Sequence, residues 1–158
     1  MAIEANFKSA KIAVADCLLA IMLVISAHAG ANAEESALRA QFSGLTMMFF
    51  EAGHGTQIEY NAPNGRSYLW YPGNSVVLPA YWRIQGDDIC YLYPQSSYNP
   101  ITQTRGGGWE CQSASSSLSR TTERARGDIF GLSRTKRPPF ALSADRTTFQ
   151  ELRRQARR

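Results

Sequence analysis

Between Leu45 and Tyr93 the chain can reverse direction about every ten residues. "LTMMFF", "TQIEY", "RSYLWY", "VVLPAYWRI" and "ICYLY" are short runs rich in aromatic and β-branched residues, and "NAPNG", "YPGN" and "QGDD" stand among them. Pro63, Asn64 and Gly65 make the strongest of these turns. Proline presets φ, and asparagine and glycine accept the left-handed backbone of a tight reversal. Strands this short at this spacing predict an antiparallel meander, a sandwich or a small barrel. No helix-length pattern separates them, which disfavours parallel βαβ units. The expected fold is mainly β, a small antiparallel meander curling toward a barrel. Pro79 predicts an edge or a bulge in its strand, because it cannot donate to a ladder.

Helices are expected at the two ends. "EESALRAQF" (34–42) places Leu38 and Phe42 four apart on one face, with Gly44 as the stop. After Cys111, "QSASSSLSRTTERARGD" predicts a polar loop or a poorly formed strand, and "DIFGL" (128–132) predicts one last strand. "KRPPF" predicts an extended linker. "ADRTTFQELRRQARR" predicts a closing helix, since Thr148 and Glu151 have capping-box spacing and Phe149, Leu152 and Ala156 form one stripe.

The first 33 residues follow the pattern of a cleaved secretory signal. Lys8 and Lys11 precede the apolar run Cys17–Ala27, and small residues then lead to Ala31-Asn32-Ala33. The run is shorter than the roughly 20 apolar residues a membrane span needs. Expected divisions are therefore a signal over 1–33, an antiparallel β domain over 34–133, and a linker with a basic helix over 134–158. The expected location is periplasmic or secreted, after cleavage behind Ala33.

Cleavage leaves two cysteines, Cys90 and Cys111, and one histidine, His54. An even cysteine count in an exported chain predicts a disulfide. If "ICYLY" and "GWECQ" pair antiparallel, Cys90 and Cys111 can face each other at bonding distance. The loop so closed holds about 20 residues, for which chain entropy gives about 3 kcal/mol. Two cysteines and one distant histidine do not make a closed zinc site, and neither a metal nor a cofactor is expected.

Charge is unevenly spread. Residues 34–119 hold four Lys/Arg against seven Asp/Glu, a net of −3; residues 120–158 hold eleven against four, a net of +7. Outside the cytoplasm a basic end can meet anionic membrane surfaces or acidic polymers, not nucleic acid. Arg153, Arg154, Arg157 and Arg158 are the candidate contacts; as a solvated helix end they would simply complement the helix dipole.

No catalytic constellation stands out, and no catalytic residue is assigned. His54, between Gly53 and Gly55, is expected to be exposed in a turn, and no G-x-S-x-G accompanies it. Asp87 and Asp88 are neighbours in a turn, where carboxylates satisfy backbone donors. Glu51, Glu59 and Glu110 have no informative spacing. "TRGGGWE" lacks the Gly-Lys-Ser/Thr and the strand–loop–helix setting of a phosphate loop; its glycines predict a tight return of the chain. Arg126-Gly127-Asp128 is a triplet that arises often by chance. Most of the aromatic residues should build the core. Tyr71, Tyr98 and Trp109 are the candidates for a shallow surface that takes a sugar, lipid or peptide.

Four stretches, "LRAQFSGLT", "YNAPNGRSYLWYPGN", "AYWRIQGDDICYLY" and "GGGWECQ", resemble a loosely defined group of small exported alphaproteobacterial proteins of unknown function. In that group an Asn- or Asp-Gly turn precedes an aromatic strand. A Trp-x-Ile/Val-x-Gly-Asp hairpin then leads to a cysteine paired with a later one. The likeness spans residues 36–112 and is most specific over Trp82–Cys90. It implies export and the cysteine pair, and supplies no catalytic residues. The functional expectation is an exported, non-enzymatic binding or accessory protein of the bacterial cell envelope, with an envelope protein, a glycan or a lipid as partner. The alternatives are a small secreted carboxylate-based hydrolase, and a regulator that docks on membranes or partners through its basic tail.

Overall fold

In a computed structural model of the chain, residues 33–99 and 103–157 are described. The expected signal segment and Cys17 lie outside the described residues. The chain divides into two compact units, Met1–Ala37 and Leu38–Arg158. Of the first only residues 33–37 are described, as helix; residues 33–40 are helical throughout (α1). The second unit carries the sheet.

The expected strands form, and they pair in sequence order. Strands β1 (Leu45–Glu51), β2 (Gly55–Asn61), β3 (Arg66–Trp70), β4 (Leu78–Gln85) and β5 (Asp88–Leu92) make an antiparallel meander. Two short strands, β6 (Tyr98–Asn99) and β7 (Thr104–Arg105), form a separate hairpin. Strand β8 (Trp109–Ser113) then adds to β5, and β9 (Thr121–Arg126) adds to β1. The result is a seven-stranded sheet in the order β8-β5-β4-β3-β2-β1-β9.

A seven-residue helix, α2 (Ala114–Arg120), is all that separates the two edge strands in sequence. Such a helix is about 10 Å long. Edge strands of a flat seven-stranded sheet would lie about 29 Å apart. The sheet therefore has to curl, and it forms a half-barrel whose open side α2 crosses. Ala114 and Leu118 of α2 pack with Phe42, Met47, Trp82, Ile84, Ile89 and Tyr91, which identifies the concave face. The convex face carries Met48, Ile58, Trp70 and Val77 and is covered by Leu132, Leu142, Phe149 and Leu152.

Pro79 lies in β4, an interior strand, and not at an edge or bulge. The Trp82 amide donates to the Gly65 carbonyl at 2.8 Å, so alternate residues from Trp82 point toward β3. The Pro79 nitrogen points the other way, toward β5, and β5 begins its pairing only at Tyr81–Leu92. At that one position the strand has no ladder to break.

The chain after Cys111 is more ordered than its composition predicts. Residues 114–126 form α2 and β9, where a loop or poor strand is expected. Ser113 caps α2 by accepting from the Ser116 amide, and packing of Ala114 and Leu118 against the concave core holds it. The expected strand over 128–132 is instead a turn leading to one 3₁₀ turn, Leu132–Arg134. The Asp128 carboxylate accepts from the amides of Leu132 and Ser133 and from the Ser133 hydroxyl, and this local capping overrides the strand preference of Ile129. Residues 134–148 do not behave as a linker either. Phe140 meets the Trp70 ring edge-on with centroids 5.1 Å apart, and the Val77 amide donates to the Lys136 carbonyl. The closing helix α3 (Phe149–Gln155) forms as expected, with Thr148 and Glu151 in a capping box.

Candidate functional site

At one end of the half-barrel three connections gather: the β1–β2 turn, the β3–β4 loop and the long β5–β8 excursion. Between them lies a cavity of about 430 Å³. Gln57, Leu69, Leu78 and Glu110 enter it from the strand walls, and Tyr71, Tyr93 and Tyr98 from the loops. The other end of the barrel is filled. Phe42 and Trp82 are buried there, the Trp82 indole donates to the Ala62 carbonyl at 2.8 Å, and the Arg39 guanidinium lies 4.4 Å from its ring centre. One end is plugged and the other is open.

Two glycines shape the rim. Gly55 has φ +76°, and a β-carbon there would lie 2.5 Å from the Ala144 main chain. The segment at Ala144 can press on the hairpin only because residue 55 has no side chain, and the Thr56 hydroxyl donates to the Asp145 carbonyl to hold it. Gly106 lets the chain return against the Tyr93 carbonyl, which a β-carbon would approach to 2.9 Å. The expected tight return at "RGGG" is thus a wall of the cavity.

His54 is half-buried at the rim, where the sequence predicts exposure. Its Nδ1 lies 3.2 Å from Glu51 Oε2, and its Nε2 lies 3.2 Å from Asn99 Oδ1. Glu51 also accepts from Arg120 at 2.6 Å, and Arg120 donates to Gln112 as well. The end of α2, the β1–β2 hairpin and β8 are tied together through this cluster. His54 is held as a strut between loops, and its hydrogen-bond partners among the described residues are Glu51 and Asn99, neither of them a nucleophile of the serine or cysteine kind.

Beneath Tyr93 lies a buried polar group. Glu59 accepts from the Ser67 hydroxyl at 2.7 Å and from the Tyr93 hydroxyl at 3.1 Å. Burial pushes its pKa from 4.5 up to about 7, and the hydrogen bonds from Ser67, Tyr93 and Tyr91 only partly offset that. Burial, reinforced by the Glu59 charge, also pushes the Tyr91 and Tyr93 phenols well above their usual range. The Asn61 amide donates to Tyr91 at 3.2 Å, which closes the network. Glu59 does not reach the cavity; Tyr93 stands between them.

Of the aromatic candidates, Tyr71 and Tyr98 share this cavity, and Tyr98 is 50% exposed. Trp109 does not line it. Its side chain stacks under Arg83, 4.1 Å from the guanidinium to the ring centre, and Arg83 is exposed. The periodicity of "GWECQ" puts Glu110 on the cavity face and Trp109 on the other. No local signal marks Gln57, Leu69, Leu78 or Glu110, because only the curl of the sheet brings four different strands to one opening.

Cys90 and Cys111 face each other directly across β5 and β8 and form a disulfide, with Cα atoms 4.0 Å apart. Arg153, Arg154 and Arg157 are exposed on and just after α3, while Arg158 lies outside the described residues. No three His, Cys, Asp or Glu side chains among the described residues come together as a metal-binding set. No helix among them is long and apolar enough to cross a membrane. Compared with known protein families, characterised proteins and solved structures, the chain matches none.

Proposed function

We propose that this is an exported, non-enzymatic binding protein of the bacterial cell envelope that takes a glycan fragment into the open end of its half-barrel. The observation that carries the reading is the cavity itself. Its 430 Å³ falls in the range of small-molecule sites. Tyr71, Tyr93 and Tyr98 offer flat apolar rings of the kind that pack on sugar faces. Gln57 and Glu110 make no side-chain hydrogen bond or ion pair with a described residue, so both are open to a ligand's hydroxyls. Export is supported by the basic, apolar and small-residue order of the first 33 residues, and a disulfide belongs in an oxidising compartment.

The carboxylate-hydrolase alternative needs two acidic groups facing one bound glycan. Glu110 is the one acidic side chain among the described residues that lines the cavity, since Glu59 is buried behind Tyr93 and Glu51 is held by Arg120 and His54. The test is an NMR titration of the protein with mono- and oligosaccharides, short peptides and fatty acids. Saccharides should shift the resonances of Tyr71, Tyr93 and Tyr98, and Tyr98→Ala should weaken binding at least tenfold without loss of fold. Shifts confined to other surfaces, or saccharide turnover that Glu110→Gln abolishes, would overturn the reading.

A further inference from the structure

On the convex side two clefts adjoin and share one residue, Arg134. The first, of about 500 Å³, is lined by Arg134, Arg153 and Arg157 over Ile129, Phe130 and Pro139. The second, of about 490 Å³, is lined by Arg66, Arg134 and Lys136 with Val76 and Pro79. Five cationic side chains therefore surround a continuous surface, and no aspartate or glutamate among the described residues lines either cleft. None of the five forms an ion pair with a described residue; the one arginine–carboxylate pair among the described residues is Arg120 with Glu51. Asp128, on the turn beside Arg134, is already taken up by capping Leu132 and Ser133.

Apolar side chains stand among these cations. Val76 is 45% exposed and Tyr81 is 50% exposed beside them, with Arg66 lying 5.2 Å from the centre of the Tyr81 ring. Cations interleaved with exposed apolar groups match a surface that is anionic outside and apolar beneath, which is the interface of an acidic lipid layer. A free anion would need the charges alone and would gain nothing from Val76 or Tyr81.

We infer that this face docks on an anionic phospholipid surface, with a headgroup phosphate seated among Arg134, Arg153 and Arg157. The docking surface is folded structure, drawn from β3, the β3–β4 loop, the 3₁₀ turn and α3. It is not a free basic tail. This inference does not depend on the glycan reading, because the two sites lie on opposite faces of the sheet.

The experiment is co-sedimentation of the oxidised protein with phosphatidylglycerol-containing vesicles and with pure phosphatidylcholine vesicles, at low and high salt. Binding should require phosphatidylglycerol and fall as salt rises. The triple variant Arg134→Gln/Arg153→Gln/Arg157→Gln should lose affinity by on the order of a hundredfold. Arg124→Gln/Arg126→Gln, which removes exposed charge from β9 instead, should lose much less. Val76→Ser should weaken vesicle binding with all five cations in place. Circular dichroism confirms that each variant is folded. Equal losses for the two arginine sets would reduce the effect to net charge and overturn the inference. Full displacement from vesicles by millimolar inorganic phosphate, with no effect of Val76→Ser, would replace the lipid by a free anion.

Discussion

Glu59 sits in "TQIEY", a strand of ordinary alternation, and nothing in that run distinguishes it from Glu51 or Glu110. The fold separates the three. Glu51 pairs with Arg120 at the rim and hydrogen-bonds His54, Glu110 faces the cavity, and Glu59 is enclosed with hydroxyls. Because its folded pKa is about 7 and its unfolded value about 4.5, the folded state holds the extra proton between those values. Its stabilising contribution is complete below about pH 4.5, declines as pH rises, and is gone above about pH 7. The amount is on the order of 3 kcal/mol. Denaturant unfolding of the protein across pH 4 to 8 should show that decline. Glu59→Gln, which keeps an acceptor for Ser67 and Tyr93, should remove most of it and be the more stable form at pH 8.

Element by element, the strands with buried alternation are legible and the short polar pieces are not. "VVLPAYWRI" announces β4 because Ala80, Trp82 and Ile84 fall on one buried face. "SASSSLS" announces nothing: serine is a weak helix former that competes for backbone donors, and α2 is held by Ala114 and Leu118 packing into the concave core between the sheet edges. The helix α3 shows both cases at once. Its capping box and stripe are readable, yet its role as a core element is not. Leu152 is buried with Phe149 against Trp70 and Ile58, so Leu152→Ala should cost about 2–5 kcal/mol in unfolding free energy. A change within a few tenths of a kcal/mol would mean that α3 is a detachable tail. Deleting residues 150–158 would for the same reason damage the fold, and charge-only substitutions are the cleaner probe of the arginines.

For the molecule as a whole, the disulfide joins stability to the site. Strand β8 has no buried side chain, so its hold on the sheet rests on the ladder to β5, on Cys90–Cys111, and on the surface contacts of Gln112 with Arg120 and of Trp109 with Arg83. An exposed edge strand is the first part of a sheet to fray. Reduction should lower the stability by about 3 kcal/mol and the melting temperature by roughly 10 °C. Glu110 belongs to that strand, so reduction should also weaken the saccharide binding proposed for the cavity before the convex core opens. Hydrogen exchange would show it as early loss of protection in residues 109–113, with residues 45–51 and 55–61 still protected. Uniform loss across the sheet would show that β8 is not a separable unit.

Local facts are written in the chain: where it turns, which runs become strands, how the last helix is capped, and that two cysteines fall opposite each other once their strands pair. Each depends on residues within a few positions of one another, or on a two-residue repeat, and such signals survive without knowledge of the rest of the chain. Folding in three dimensions added the rest. The sheet curls, Tyr71, Tyr98, Gln57 and Glu110 meet at one opening, and Glu59 is sealed beneath it. On the far face, Arg66 and Arg134 join Arg153 and Arg157 on one surface. The first set arises from the closure of two sheet edges over a helix about 10 Å long, and the second from the packing of Leu132, Leu142, Phe149 and Leu152 on the convex face. Closure is a property of all seven strands together, and no single stretch of the chain contains it.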